Sequence, residues 1–138
     1  MPDVVSKLLK INVRARSLES AKALLCDVLG ANELSNRGND TIGDFTGSVV
    51  SLGGVMFDIV VPDSDEAPLA KVIEKHGEGI DSICFSVDDM DHTQMHLRSK
   101  GIEFSRLSEF HNNKVAFVHP REANGIALEF IQGPVAEE

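Results

Sequence analysis

The constraint that decides most about this chain is that its pattern is written twice. Residues 54–62, GVMFDIVVP, and residues 125–132, GIALEFIQ, have one build: a glycine, then alternating apolar residues, with a single carboxylate in mid-run. Those carboxylates, Asp58 and Glu129, are 71 positions apart (129 minus 58). Gly30 and Gly101 differ by 71, Gly54 and Gly125 by 71, and Leu18 and Met90 by 72. We read an internal duplication with one residue dropped within the second helix. Each copy reads βαβββ and is too small to close a core alone, so the two are expected to pair in one sheet-rich domain. The expected fold is α+β: two βαβββ modules forming a curled mixed sheet with a central cup and helices on the outside. One domain over 1–138 is expected, with module one at about 7–62, a connecting helix at about 66–76 and module two at about 79–133.

In order, residues 8–14 alternate as a strand, with Ile11, Val13 and Ala15 on one side and Lys10, Asn12 and Arg14 on the other. Ser17 is the expected N-cap of a helix in which Leu18, Ala21, Leu25 and Val28 recur at helical spacing until Gly30 stops it. A short strand over 31–37, a turn-rich loop over 38–43, and strands over 45–52 and 55–61 follow, the last two closed as a hairpin at Gly53 and Gly54. The helix over 67–76 carries Pro68 in its first turn and leads into the loop HGEG, which is too weak a signal for a phosphate cradle. The order then restarts: a strand over 80–87, a helix capped at Asp88 and Asp89 and stopped by Gly101, and strands over 102–106, 114–119 and 126–132.

With 42% hydrophobic and 25% charged residues, the composition is that of a globular protein able to bury a core. A formal charge of −9 argues against nucleic acid and anionic membranes as partners, because both demand a basic surface. No run approaches 18 apolar residues and MPDVVSKLLK lacks an apolar signal core, so a cytoplasmic protein is expected. Cys26 and Cys84 match no zinc or redox spacing and are expected as free thiols.

Strand parity collects the polar residues on one side. Lys10, Asn12, Arg14, Asp58, Ser82, Cys84, Ser86 and Glu129 all oppose the apolar sides that pack on helices, which suggests a wet or ligand-filled cup.

Three strings carry a resemblance: PDSDEAPLAKVIEKHGEGIDSICFSVDDMD, KVAFVHPREANGIALEFIQ and, less specifically, SLESAKALLCDVLG. With the repeat, they make the chain resemble the vicinal oxygen chelate superfamily of glyoxalases, bleomycin resistance proteins and dioxygenases, most closely methylmalonyl-CoA epimerase. The resemblance implies a divalent metal in the cup, held by a His on the first strand, Gln or Glu on the fourth, His on the fifth and Glu on the eighth. Here those places hold Lys10, Asp58, Ser82 and Glu129. Both imidazoles are replaced, a lysine ammonium has no lone pair, and a serine hydroxyl is a weak ligand. Mg²⁺ between Asp58 and Glu129 is disfavoured by the neighbouring cation, so no metal cofactor is expected. The family's epimerase also implies a Glu on the third strand; Phe45–Leu52 has no acid, and Asp44 lies at its edge.

The functional hypothesis makes Lys10 the electrophile that stabilises an oxyanion or enolate, with Asp58 or Glu129 moving a proton α to a carbonyl. Carboxylates beside Lys10 favour its charged form. Asn12, Arg14, Ser82, Cys84 and Ser86 are the substrate-binding candidates, Arg14 as an anchor for a carboxylate or phosphate. The competing account is a structural ion cluster of Lys10, Asp58 and Glu129. His92 and His96 are spaced i, i+4 but lack a third ligand, His119 reads as a turn residue, and His76 and His111 fall in loops. The expected function is an isomerase or lyase acting on a small acid or acyl-CoA thioester. The alternative is a non-catalytic small-molecule binding protein of the bleomycin-resistance type. A homodimer is expected, as the commonest oligomer.

Overall fold

The computed structural model describes residues 3–40, 45–110 and 113–133, the side chains of 35–40 and 110 excepted. Asp44, His111 and positions 41–43 of the expected loop lie outside the described residues. The chain divides into two compact units, Lys10–Asp81 and the segments 3–9 with 82–133.

The first unit holds the Lys10–Arg14 part of β1 (Lys7–Arg14), α1 (Leu18–Lys22) continuing into π-helical turns (Ala23–Val28), β2 (Asn32–Asp40), β3 (Phe45–Leu52), β4 (Val55–Pro62) and α2 (Pro68–His76). Its strands run in the order β2-β3-β4-β1, with β1 parallel to β4 and the other pairs antiparallel. Ser17 caps α1 as expected, its Oγ accepting the Ser20 amide at 3.1 Å. The core gathers Ala15, Leu25, Ala31, Val50 and Ile59, with Phe57, Val61, Leu18 and Ala21 packed around them. They come from one parity of β3 and β4, from the apolar stripe of the helix, from Ala15 just after β1 and from Ala31 just before β2. Each fully buried aliphatic contributes about 1.5–3 kcal/mol.

The second unit contains the Ser82–Ser86 part of β5 (Gly79–Ser86), α3 (Met90–Ser99), β6 (Arg106–Phe110), β7 (Asn113–Val118), a 3-10 turn (Pro120–Glu122) and β8 (Leu128–Gln132). Its order is β5-β8-β7-β6, with β5 parallel to β8. Val87, Met90, Ala116, Val118 and Phe130 form its core, and the Phe130 ring lies 6.2 Å from Phe85 and 5.9 Å from Phe104. Asp89 caps α3 by accepting the His92 amide.

The duplication is physical as well as textual. β1 meets β4 with Asn12 opposite Asp58, and β5 meets β8 with Cys84 opposite Glu129. These pairs are related by the repeat offsets, 72 for the first strand (84 minus 12) and 71 for the last (129 minus 58). Gly30 and Gly101 end their helices at φ 85° and 86°, the left-handed conformation in which glycine costs least. The extra residue in the first helix is taken up by its π turns, in which the Leu29 amide reaches back five residues to the Leu24 carbonyl at 3.1 Å.

The expected α+β class and its eight strands are present in the described residues, while several boundaries differ. β2 runs on to Asp40 instead of ending at 37, because the sequence NELSNRGND pairs with β3 through its backbone across two register shifts, without apolar alternation to announce it. Residues 102–105 are not a strand; β6 begins at Arg106. Ile102 and Phe104 alternate like a strand, but they pack on the core and the Ile102 amide bonds to Leu97 O as part of the α3 cap. β8 starts at Leu128, because the Ile126 amide is taken by Ala123 O in the preceding turn. The expected single continuous helix over 18–29 is α-helical only to Lys22. Cys26 and Cys84 are free thiols. None of the helices in the described residues is long and apolar enough to cross a membrane.

Candidate active site

In the first unit, Ala15 just after β1 packs in the core, so strand alternation puts Lys10, Asn12 and Arg14 on the other side. β4 does likewise: Phe57, Ile59 and Val61 face the core, so Asp58 points the other way. Asp58 is buried, with Asn12 opposite it on β1 and Val49 opposite it on β3. Lys10 stands opposite Met56, two residues along, and reaches diagonally so that its Nζ lies 2.6 Å from Asp58 Oδ2. Side-chain exposure is 15% for Lys10 and 2% for Asp58. A fixed ammonium on a buried carboxylate is a charged pair held out of bulk water, where its field on a neighbouring polar group is stronger than at a surface.

Arg14 lies further along the same side. It donates from Nε to Gly77 O at 2.7 Å and from Nη1 to Ile80 O at 3.0 Å, and pairs with Asp81 Oδ1 at 3.2 Å. The Arg16 amide donates to Glu78 Oε1 at 2.8 Å. The HGEG loop is thus latched to the end of β1. Sequence reasoning missed Glu78 and Asp81 as partners, since they sit in a connector that carries no periodic signal.

In the second unit, Glu129 is buried on the side of β8 opposite Leu128 and Phe130, with Cys84 and Phe117 as its neighbours in register. Cys84 is fully buried and Ser82, two residues earlier on the same side, is also buried, while Ser86 is half-buried. The first unit therefore brings Lys10 together with Asp58, and the second sets Glu129 beside Cys84. His119 accepts the Arg121 amide at Nδ1, the turn role expected of it, and His92 and His96 lie on α3. Among the described residues, no group of three or more His, Cys, Asp or Glu stands close enough to hold a metal ion.

With two repeated βαβββ units in hand, comparison with known families is decisive. A model of the Glyoxalase/Bleomycin resistance protein/Dioxygenase superfamily matches residues 10–117. The chain belongs to that superfamily. Among relatives in this superfamily, the mitochondrial methylmalonyl-CoA epimerase of Dictyostelium discoideum is 26% identical over 129 residues, covering 91% of this chain and 77% of that protein. The ethylmalonyl-CoA/methylmalonyl-CoA epimerase of Cereibacter sphaeroides is 25% identical and covers 94% and 99%. The hypothetical protein BH1468 of Bacillus halodurans shares the glyoxalase-like fold at a TM-score of 0.85 with 24% identity, over 96% of this chain and 97% of that one. A methylmalonyl-CoA epimerase solved in complex with methylmalonyl-CoA and NH4+ superposes at a TM-score of 0.81 with 16% identity, over 95% and 96% of the two chains. At those identities the structural likeness is one of fold.

Proposed function

We propose that this glyoxalase-superfamily chain is an epimerase-like enzyme that moves a proton on the carbon α to the carbonyl of a small acid or acyl-CoA thioester. The observation that carries this reading is the Lys10–Asp58 pair, an ammonium fixed 2.6 Å from a buried carboxylate on the side of the sheet away from the helix. Proton transfer next to a carbonyl needs both kinds of group. A carboxylate accepts the α proton as the C–H bond breaks, the electron pair moves onto the carbonyl oxygen, and an ammonium balances the enolate charge. Return of a proton to the other side of the carbon inverts it; loss of a β substituent instead gives elimination. Asp58 is the candidate proton acceptor beside Lys10, the electrophile.

The relatives support the substrate class, since those with a stated activity are epimerases of methylmalonyl-CoA or ethylmalonyl-CoA. One such epimerase is solved with methylmalonyl-CoA and NH4+, and Lys10 brings an ammonium of its own.

The test is solvent exchange. The protein is incubated in D₂O with methylmalonyl-CoA, other acyl-CoA thioesters and small 2-oxo acids, and deuterium at the α carbon is followed by NMR. Uptake dependent on Lys10 is expected. Thermal stabilisation by one of these compounds with no exchange and no product marks a binding protein and overturns the enzymatic reading.

A further inference from the structure

We propose that Lys10 is a built-in cation: its ammonium, seated on Asp58, does the work that a divalent metal does in metal-dependent members of this fold, and the chain functions without such an ion. The inference rests on the proton-transfer reading for its chemistry, but its first test does not. A divalent ion needs lone pairs from deprotonated donors. Lysine on β1 offers none while charged, and its Nζ lies 2.6 Å from Asp58 Oδ2. No cluster of three or more His, Cys, Asp or Glu that could hold an ion exists among the described residues. The residues at these positions do not fit the family's metal.

The geometry also explains how an ammonium serves here. Asp58 is held between Asn12 and Val49 by strand register, so its carboxylate is a fixed seat. Lysine reaches that seat from two residues along the neighbouring strand. The repeat makes the device one-sided: the counterpart of Lys10 in the second module is Ser82 (82 minus 10, the 72 offset), so only module one supplies a cation at this position.

Two measurements test the inference. Protein purified without chelator is assayed for metals by mass spectrometry and titrated calorimetrically with Co²⁺, Zn²⁺ and Mg²⁺; substoichiometric content and no binding heat are expected, and one tightly held equivalent of any of them overturns the proposal. In parallel, Lys10→Ala is titrated with methylammonium, ethylammonium and propylammonium. The expected result is a saturable rise in its melting temperature that wild type does not show. If the wild type exchanges α deuterium, the variant loses about 100-fold or more of that rate and recovers part of it with the amine. Rescue by a divalent ion and not by an amine overturns the proposal. If Lys10→Ala does not fold, Lys10→Met supplies the stability comparison and Lys10→Arg, which keeps a cation, should retain metal independence. Amine rescue of stability without exchange in wild type leaves the cation assignment standing while the proton-transfer reading falls.

Discussion

Lys10 and Asp58, 48 residues apart in sequence, form a diagonal pair across the parallel β1–β4 ladder, with Nζ and Oδ2 2.6 Å apart and the carboxylate almost wholly buried. Removing one partner leaves the other charge in a site that water reaches poorly. Lys10→Met and Asp58→Leu are each expected to destabilise the protein by about 3–5 kcal/mol, whereas the double variant recovers most of that loss. Urea denaturation of the three variants measures it. Additive losses in the double variant would mean that the pair contributes no coupling.

Arg14 latches the connector between the modules. In Arg14→Met the carbonyls of Gly77 and Ile80 lose their side-chain donor, and Asp81 loses its partner. A cost of about 1–3 kcal/mol is expected, concentrated locally. Hydrogen exchange should accelerate at residues 77–81 while the core strand β4 stays protected; uniform acceleration would contradict a local latch.

Gly30 and Gly101 end equivalent helices in the same left-handed conformation, and a Cβ at either position meets nothing within 4 Å. The cost of Gly30→Ala and Gly101→Ala is therefore conformational and not steric, about 1–2 kcal/mol each. Asparagine at these positions should cost less, since it tolerates this backbone better. Thermal melts of the four variants check both points, and a markedly unequal cost for the two alanines would break the equivalence of the repeats.

Thr93, fully buried in α3, donates from Oγ1 to Val4 O at 2.6 Å and ties the segment before β1 to the helix. Thr93→Val keeps the shape and removes the donor, leaving a carbonyl to be satisfied otherwise. A loss of about 1–3 kcal/mol is expected, with faster proteolysis near the N-terminus. Unchanged stability would show that water replaces the hydroxyl.

Much of the architecture was legible because duplication and alternation are local codes. The strand over 45–52, the Gly53–Gly54 hairpin, the caps at Ser17 and Asp89 and the helix stops at Gly30 and Gly101 are each signalled by side-chain chemistry within a few residues. The misplaced boundaries share one cause. At Ile102 and Ile126 the apolar spacing continues while the amide is already committed to a helix cap or a turn, and hydrogen-bond partners leave no trace in hydropathy. β2 failed in the opposite direction, since backbone pairing extends it through polar residues. The π turns of the first helix were foreshadowed only by the one-residue difference between the repeats.

By itself the sequence determined the repeat and the parity of each strand, because covalent order and the two-residue strand period need no partner to be read. Only the tertiary structure decided that Asp58 receives Lys10 and that Arg14 is engaged by Gly77, Ile80 and Asp81. Parity says which side a residue faces but not which residue of another strand lies beside it. That register is set by the packing of Ala15, Phe57, Ile59 and Val61 against the helix, a long-range condition in which a slip of one residue would turn Asp58 into the core.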